Sequence, residues 1–251
     1  MSVPILQLAC MNSDQKQHLI LSHVNTMTGQ KGATATVEEY LEAILNMASE
    51  HKNVVGARLA ERLQVSPPTV TATLQRMRRD GLIISQGKAG ISLTEKGMKL
   101  AIGIVRRHRL AERLLVDILK IPWYETHQEA CLLEHAMSER VVSSLYERLG
   151  RPTTCPHGNP IPADNVLPPL RGVPLNTVAV GATAVVERIS EEADRLPGLM
   201  EYLDRAGIKP GTTVTVKEMI EYAGTITLLI ERKLSSIGIP AASTVWVTPA
   251  S

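Results

Sequence analysis

Phenylalanine is absent from these 251 residues, and tryptophan and tyrosine supply only 2 and 5 side chains. A surface that reads nucleic acid by stacking bases on aromatic rings has little to work with. The core must be built from Leu, Ile, Val, Ala and Met. Cysteine is scarce as well: Cys10, Cys131 and Cys155 are odd in number and widely spaced, which excludes a disulfide framework and fits a reducing compartment with free thiols. Long apolar runs are missing too. The stretch Pro4 to Ala9 falls far short of the roughly 20 residues of a membrane span and has no basic flank. Cys10, after Leu6-Gln7-Leu8-Ala9, stands where a lipoprotein site would, but the positive flank is lacking. The expectation is a cytoplasmic protein with no membrane partner.

What is present is the composition of an ordinary folded chain, 44% hydrophobic and 21% charged, long enough for one large or two to three small domains. The net charge of +2 hides an asymmetry. Between Gly56 and Arg109 there are 11 Lys or Arg against 3 Asp or Glu, so that segment carries +8 and the remainder −6. About a fifth of the chain could face a polyanion.

Residues 1 to 35 show no sustained periodicity and read as a loosely ordered extension. From Thr36, apolar residues Val37, Tyr40, Leu41, Ile44, Leu45 and Ala48 recur at helical spacing, with Thr36 as the expected cap and Glu38 and Glu39 in the first turn. A second helix, Gly56 to Leu63, is followed by Gln64-Val65-Ser66 and a third that opens on Pro67-Pro68, with Val70, Leu74 and Met77 on one face. Leu82-Ile83-Ile84 and Ile91-Ser92-Leu93 flank a Gly-rich turn and predict a hairpin. Three helices and a hairpin make a winged helix-turn-helix. Two long helices are expected next, about Glu95 to Leu119 and Tyr124 to Leu149, then a Pro- and Gly-rich loop and linker over 150–174. Short alternating stretches at Ala182 to Ile189, Thr213 to Lys217, Thr225 to Glu231 and Thr244 to Thr248 predict a small antiparallel barrel, interrupted by a helix at Leu199 to Arg205.

In a helix-turn-helix the second helix enters the major groove of double-stranded DNA while flanking cations hold phosphates. Ser66, Pro67, Pro68, Thr69 and Thr71 would face the groove, Thr73 would add a hydroxyl or methyl and Gln75 an amide. Arg58, Arg76, Arg78, Arg79 and Lys88 are candidates for the backbone. A solvated basic helix face is the plainer reading of such charges, and the helix, turn, Pro-started helix and basic hairpin together favour DNA. Few of these side chains make bidentate base contacts, so shape readout should be substantial.

A second constellation has the residue types of a metal site. His108 and Glu112 are four apart on one helix face, Cys131, Glu134 and His135 stand at i, i+3 and i+4 on the next helix with His127 one turn earlier, and Glu39 and Glu42 are one turn apart on the first helix. Imidazole, carboxylate and thiolate together suit divalent first-row metals. Each pair alone is more often a surface ion pair, and spacing does not bring three helices together.

Thr36-Val37-Glu38-Glu39-Tyr40-Leu41, Leu59-Ala60-Glu61-Arg62-Leu63, Ser66-Pro67-Pro68-Thr69-Val70, His108-Arg109-Leu110-Ala111-Glu112-Arg113-Leu114-Leu115, Glu129-Ala130-Cys131-Leu132-Leu133-Glu134-His135 and Cys155-Pro156-His157-Gly158-Asn159-Pro160-Ile161-Pro162 together resemble the diphtheria toxin repressor family of iron- and manganese-dependent regulators, over about residues 36 to 251. The resemblance implies a mainly α fold: a winged helix-turn-helix at 36–98, a helical metal-binding and dimerisation domain at 99–165, a linker at 166–178 and an SH3-like β-barrel at 179–251. It implies two metal sites per subunit, for Fe2+ or Mn2+. One resembles Glu39, Cys131, Glu134 and His135. The other resembles His108, Glu112 and His127, completed by Glu191 and Asp194. Glu42, Cys155 and His157 are further candidates, and a turn packed on the metal helices is the plainer reading of Cys155-Pro156-His157.

The sequence departs from the family at informative places. Glu39 stands where the diphtheria-type branch has Met, Glu42 where the manganese branch has a ligand, and Cys131 keeps the iron-type thiolate. Carboxylate hardens the site toward Mn2+ and thiolate pulls toward Fe2+, which tips the balance slightly to iron. Ala72 replaces a groove-facing Gln of the diphtheria-type branch, so the operator need not be shared. The resemblance implies a homodimer that binds operator DNA when metal is bound, silences metal-uptake genes, and has neither a small-molecule substrate nor enzymatic activity. Two other readings compete: a metal-independent winged-helix regulator gated by another ligand, and a mononuclear metallohydrolase, for which no further general base is evident.

Overall fold

The computed structural model describes residues 34–50, 52–85 and 90–250. The expected N-terminal extension lies, up to residue 33, outside the described residues, as do Cys10 and Lys88. The described chain forms two compact units that divide between Ala101 and Ile102.

The first unit opens with α1, Ala35–Ser49. Thr36 is not its cap: the cap is the extended Thr34, two residues earlier, whose carbonyl accepts from Glu38. Two threonines two residues apart offer alternative starts, and the backbone closes the earlier one. Val37, Tyr40, Leu41 and Ile44 form the buried stripe that the periodicity predicts. Helix α2, Gly56–Leu63, buries Leu59 and ends on left-handed Gln64. Helix α3, Pro67–Arg79, begins where Ser66 accepts a hydrogen bond from the Thr69 amide at 3.4 Å. Its buried face is Val70, Thr73 and Met77, with Leu74 only half-buried. Thr73 therefore points inward and is not a groove residue, because i, i+3 and i+7 share one side of a helix.

Strands β1, Ile83–Ser85, and β2, Ile91–Leu93, pair antiparallel with Ile84 opposite Ser92. Helix α4, Glu95–Arg113, starts on a cap that joins it to this wing: the Thr94 hydroxyl donates to the Gly81 carbonyl at 2.7 Å and accepts from the Gly97 amide at 3.0 Å. A Cβ on Gly97 would fall 2.0 Å from the Leu82 carbonyl oxygen, so only glycine fits there.

The second unit takes α4 onward through a π-helical turn, Leu114–Ile118. The helix expected over 124–149 is broken into a short 3-10 turn at Trp123–Glu125, α5 at Thr126–Glu134 and α6 at Glu139–Arg148. The break is at Ser138, which leaves helical geometry and caps α6 by accepting from Val141. A six-stranded antiparallel sheet follows, in the order β3-β8-β4-β5-β6-β7. Its strands are β3, Val173–Pro174; β4, Thr183–Ile189; β5, Thr213–Ile220; β6, Thr225–Ile230; β7, Lys233–Gly238; and β8, Val245–Pro249. Within 166–178, read from sequence as linker, Val173 and Pro174 pair with Val247 and Trp246 and Leu175 is fully buried, so that part is built into the sheet. Helix α7, Leu199–Ala206, buries Leu199, Met200 and Leu203 in the sheet's core and stops on left-handed Gly207. A bulge between Val186 and Arg188 turns β4 toward the loop that precedes the sheet. Among the described residues no helix is long and apolar enough to cross a membrane.

Candidate metal centre and DNA-facing helix

The His108-to-Glu112 spacing on α4 places both side chains on one inward face, and both are almost fully buried. His108 Nε2 lies 3.2 Å from Glu112 Oε1, and its Nδ1 lies 2.6 Å from Glu134 Oε2 on α5. On α5, one turn separates His127 from Cys131, with Nε2 3.8 Å from Sγ, and the rings of His108 and His127 are 5.0 Å apart. His135 Nε2 comes within 3.3 Å of Glu134 Oε1. These helices thus bring together residues that the sequence could place only one face at a time.

The loop after α6 adds two more donors. The Cys155 carbonyl accepts from Gly158 and the Cys155 amide donates to the Asn159 carbonyl, which closes a tight turn around Pro156. His157 Nδ1 then stands 3.0 Å from Glu112 Oε1 and 3.9 Å from Cys155 Sγ, while its Nε2 donates to the Trp123 carbonyl at 2.9 Å. Gly158 holds φ +83, and a Cβ there would meet the Glu187 carbonyl oxygen at 2.2 Å. The turn is seated on β4 itself: Ile189 donates to the His157 carbonyl and Asn159 Nδ2 to the Ile189 carbonyl.

Within the second unit, two sets of three donors have their ligand atoms within 4.8 Å of one another: His108, His127 and Cys131, and Glu112, Cys155 and His157. Each draws on residues from more than one of the groups that the resemblance sets apart. Asp194 reaches 3.9 Å from His127. Glu191 is held by Arg109, 3.2 Å away. Glu39 and Glu42 belong to α1 in the first unit. A cleft of about 620 Å3 opens beside His127 and Asp194, lined also by Glu125, Gln128 and Glu201.

The electrostatics of this spot are dominated by buried anions. Burial works against a charged Glu112, yet His157 and His108 hold its carboxyl well below the ordinary range. The same burial disfavours charged His108 and His157, and the Glu112 carboxylate overrides it in both, keeping them well above an ordinary imidazole. His127 is desolvated as well, but hydrogen bonding and charge from Cys131 bring it to about 9. Cys131 is lowered by His108 and His127 against the effect of burial, whereas Cys155 is pushed up by burial and then by the charge of Glu112. Burial also raises Asp194. The buried carboxylates, beside a thiol whose deprotonation is eased, thus demand positive charge, which the imidazoles meet with protons. A divalent cation meets the same demand and releases those protons. Two buried atoms, Glu112 Oε2 and His127 Nδ1, have no hydrogen-bond partner among the described residues, and an unpaired buried carboxylate oxygen is costly. The donor chemistry fits a divalent first-row metal.

In the first unit, Arg58, Ser66, Pro67, Pro68, Thr69, Thr71 and Gln75 are exposed and Arg76 is half-buried. Ser66 shares a 2.8 Å hydroxyl bond with Thr69, and Thr71 donates to the Pro67 carbonyl at 3.0 Å. Those hydroxyls are engaged within the helix, so the face offers methyls, acceptor lone pairs and the Gln75 amide.

Three family models match in succession: the N-terminal DNA-binding domain of iron-dependent repressors over residues 33–91, their metal-binding and dimerisation domain over 94–163, and the FeoA domain over 173–249. The iron-dependent repressor IdeR of Mycobacterium tuberculosis is 43% identical over 196 residues, covering 72% of this chain and 84% of that protein. The chain belongs to the iron-dependent repressor family. Within this family the diphtheria toxin repressor of Corynebacterium diphtheriae is 40% identical over 157 residues, 62% of this chain and 68% of that one. A solved manganese-dependent transcriptional repressor in complex with manganese covers 85% of this chain and 100% of its own, at 34% identity and a TM-score of 0.78. Family membership accounts for the succession of winged helix, helical segment and small antiparallel β domain that the residue patterns suggested, and for the SH3-like character that the resemblance implied.

The sequence reading overlooked three arginines of α4, Arg106, Arg109 and Arg113, which donate to carbonyls of the 154–162 loop. Their i, i+3, i+7 spacing on the face away from His108 was the available signal. It also gave no reason to expect Asn159 and the Trp123 carbonyl as the partners that fix the loop.

Proposed function

We propose that this repressor acts as a homodimer in the cytoplasm, senses Fe2+ or Mn2+, and binds operator DNA of metal-uptake genes when metal is bound. The observation that carries this reading is the buried convergence of imidazole, carboxylate and thiolate donors, with an orphaned Glu112 oxygen, in a chain that also presents a capped, exposed recognition helix. Cys131, Glu134 and His135, with Glu39 and the neighbouring Glu42 from the DNA-binding part, would hold one ion. His108, Glu112 and His127 would hold the other, with Asp194, Glu191, Cys155 and His157 as the donors around them. When bound, the ion supplies positive charge and directed bonds that tie donors from separate segments into one arrangement.

The chain's own residues do the rest. Glu134 holds His108 at Nδ1, 2.6 Å away, which orients the ring so that Nε2 faces Glu112 and would be free to serve as a ligand once its proton is released. Ser66 holds the first turn of α3 so that Pro67, Pro68, Thr69 and Thr71 face base edges, with Gln75 beyond them. Arg58, Arg76 and Lys88 would grip phosphates. A symmetric dimer sets two such helices about one DNA turn apart.

The test is anaerobic binding of the full chain to DNA upstream of its own gene, at fixed salt, with chelator or with Fe2+, Mn2+ or Zn2+ at controlled free concentration. Binding that requires metal is expected, and the ion with the lowest activating concentration relative to cellular supply is the one sensed. Equal binding in chelator would refute the metal switch.

A further inference from the structure

One face of α4 grips the loop that carries two of the proposed donors. Arg106, Arg109 and Arg113 project from the same side of the helix, and each donates to a main-chain carbonyl far away in sequence: Arg106 to Pro162, Arg109 to Pro160 at 2.5 Å and Arg113 to Thr154 at 2.7 Å. The carbonyls bracket the Cys155–Asn159 turn on both sides. Every one of these guanidinium groups is steadied by a second partner: Arg106 lies 4.3 Å over the Tyr146 ring, Arg109 pairs with Glu191 and Arg113 with Asp117. A planar guanidinium anchored at two points presents a pre-oriented donor, which a flexible ammonium does not.

We propose that these arginines are positioning residues that hold Cys155 and His157 against Glu112 and so set the metal affinity of that donor set. The proposal rests on the reading of Glu112, Cys155 and His157 as donors. The physical argument is one of order. The turn closes through Cys155, Gly158 and Asn159, is seated on β4 through the His157 and Ile189 carbonyls, and reaches the Trp123 carbonyl through His157. None of those bonds ties it to α4, whereas the three arginine bonds do so at both the loop's entry and its exit. Outer contacts of this kind shift metal affinity by about 10- to 100-fold when removed.

The experiment uses the full chain with Cys10→Ser and Cys131→Ser, which leaves Cys155 as the sole thiol. Reaction of Cys155 with a thiol-specific disulfide reagent, followed without metal, reports how tightly the loop is held. An anaerobic Co2+ titration, read by the thiolate-to-metal charge-transfer band, reports its role as donor. Adding Arg106→Met and Arg113→Met should speed Cys155 modification at least about tenfold and weaken the Co2+ step that carries the band by about tenfold or more, and Arg113→Lys alone should retain parental behaviour more closely than Arg113→Met. Where the double variant fails to fold, Arg113→Met alone carries the same expectations, since that side chain is 25% exposed. Unchanged reactivity together with unchanged Co2+ affinity overturns the positioning role. A parent that shows no Cys155 band at all overturns instead the donor reading on which the proposal rests.

Discussion

Glu112 does more than any other side chain of the site, since its Oε1 meets both His108 and His157 while its buried Oε2 has no hydrogen-bond partner among the described residues. Glu112→Gln keeps the shape and removes the charge that most strongly raises both imidazoles against burial. Metal affinity measured by competition with a chelator should fall by more than the roughly 10- to 100-fold that loss of an outer partner costs, and metal-dependent DNA binding should weaken with it. Gly158 has an opposite character, being required by space alone. At φ +83, and with the Glu187 oxygen 2.2 Å from any added Cβ, Gly158→Ala must displace the loop from β4. About 1–3 kcal/mol of backbone strain is expected in addition to the clash. Urea denaturation should register that loss, and Co2+ should lose the Cys155 contribution at the same time.

At the scale of elements, the cap of α4 is the joint to examine. Thr94 satisfies the Gly97 amide and reaches back to the Gly81 carbonyl, so Thr94→Ala should cost about 1–2 kcal/mol, measurable as a lowered denaturation midpoint at unchanged slope. Caps also explain what could be read in advance. Ser66-Pro67-Pro68 announces α3 because Pro at the first helical positions loses no bond there. The same kind of signal, Ser138-Glu139, was present before α6, but apolar Leu132, Leu133, Ala136 and Met137 carry the helical spacing across the break and conceal it. Strand β7 was missed because Lys233–Gly238 has two adjacent serines and an exposed Leu234, the pattern of an edge strand with little to bury. At the site, the donor pairs on α4 and α5 were legible as i, i+4 motifs. Their mutual approach is a property of helix packing, and the arginine face that grips the 154–162 loop depends on carbonyls more than forty residues away, which no local pattern encodes.

For the whole molecule the relevant quantities are charge and linkage. From Gly56 to Ala101, within the first unit, 8 Lys or Arg stand against 3 Asp or Glu, and this +5 predicts DNA affinity that falls steeply with salt. If Arg58 and Lys88 grip phosphates as proposed, Arg58→Met or Lys88→Met should flatten the slope of log affinity against log salt by about 0.9 per residue and weaken all sequences alike. Gln75→Ala should leave the slope alone and relax preference at one base position. Anisotropy titrations across a salt series separate the two. Linkage makes a stricter demand, because metal and DNA act on one conformational equilibrium in the proposed mechanism. If saturating Mn2+ tightens operator binding by some factor, operator DNA must raise the overall constant for filling all of the dimer's Mn2+ sites by that same factor, whatever path connects the sites. Measuring metal affinity with and without operator at fixed salt, then operator affinity with and without metal, closes that cycle. Equal factors are expected for the dimer. Unequal ones mean that a further equilibrium, such as metal-dependent dimerisation, belongs in the scheme, and the mismatch should then vary with protein concentration.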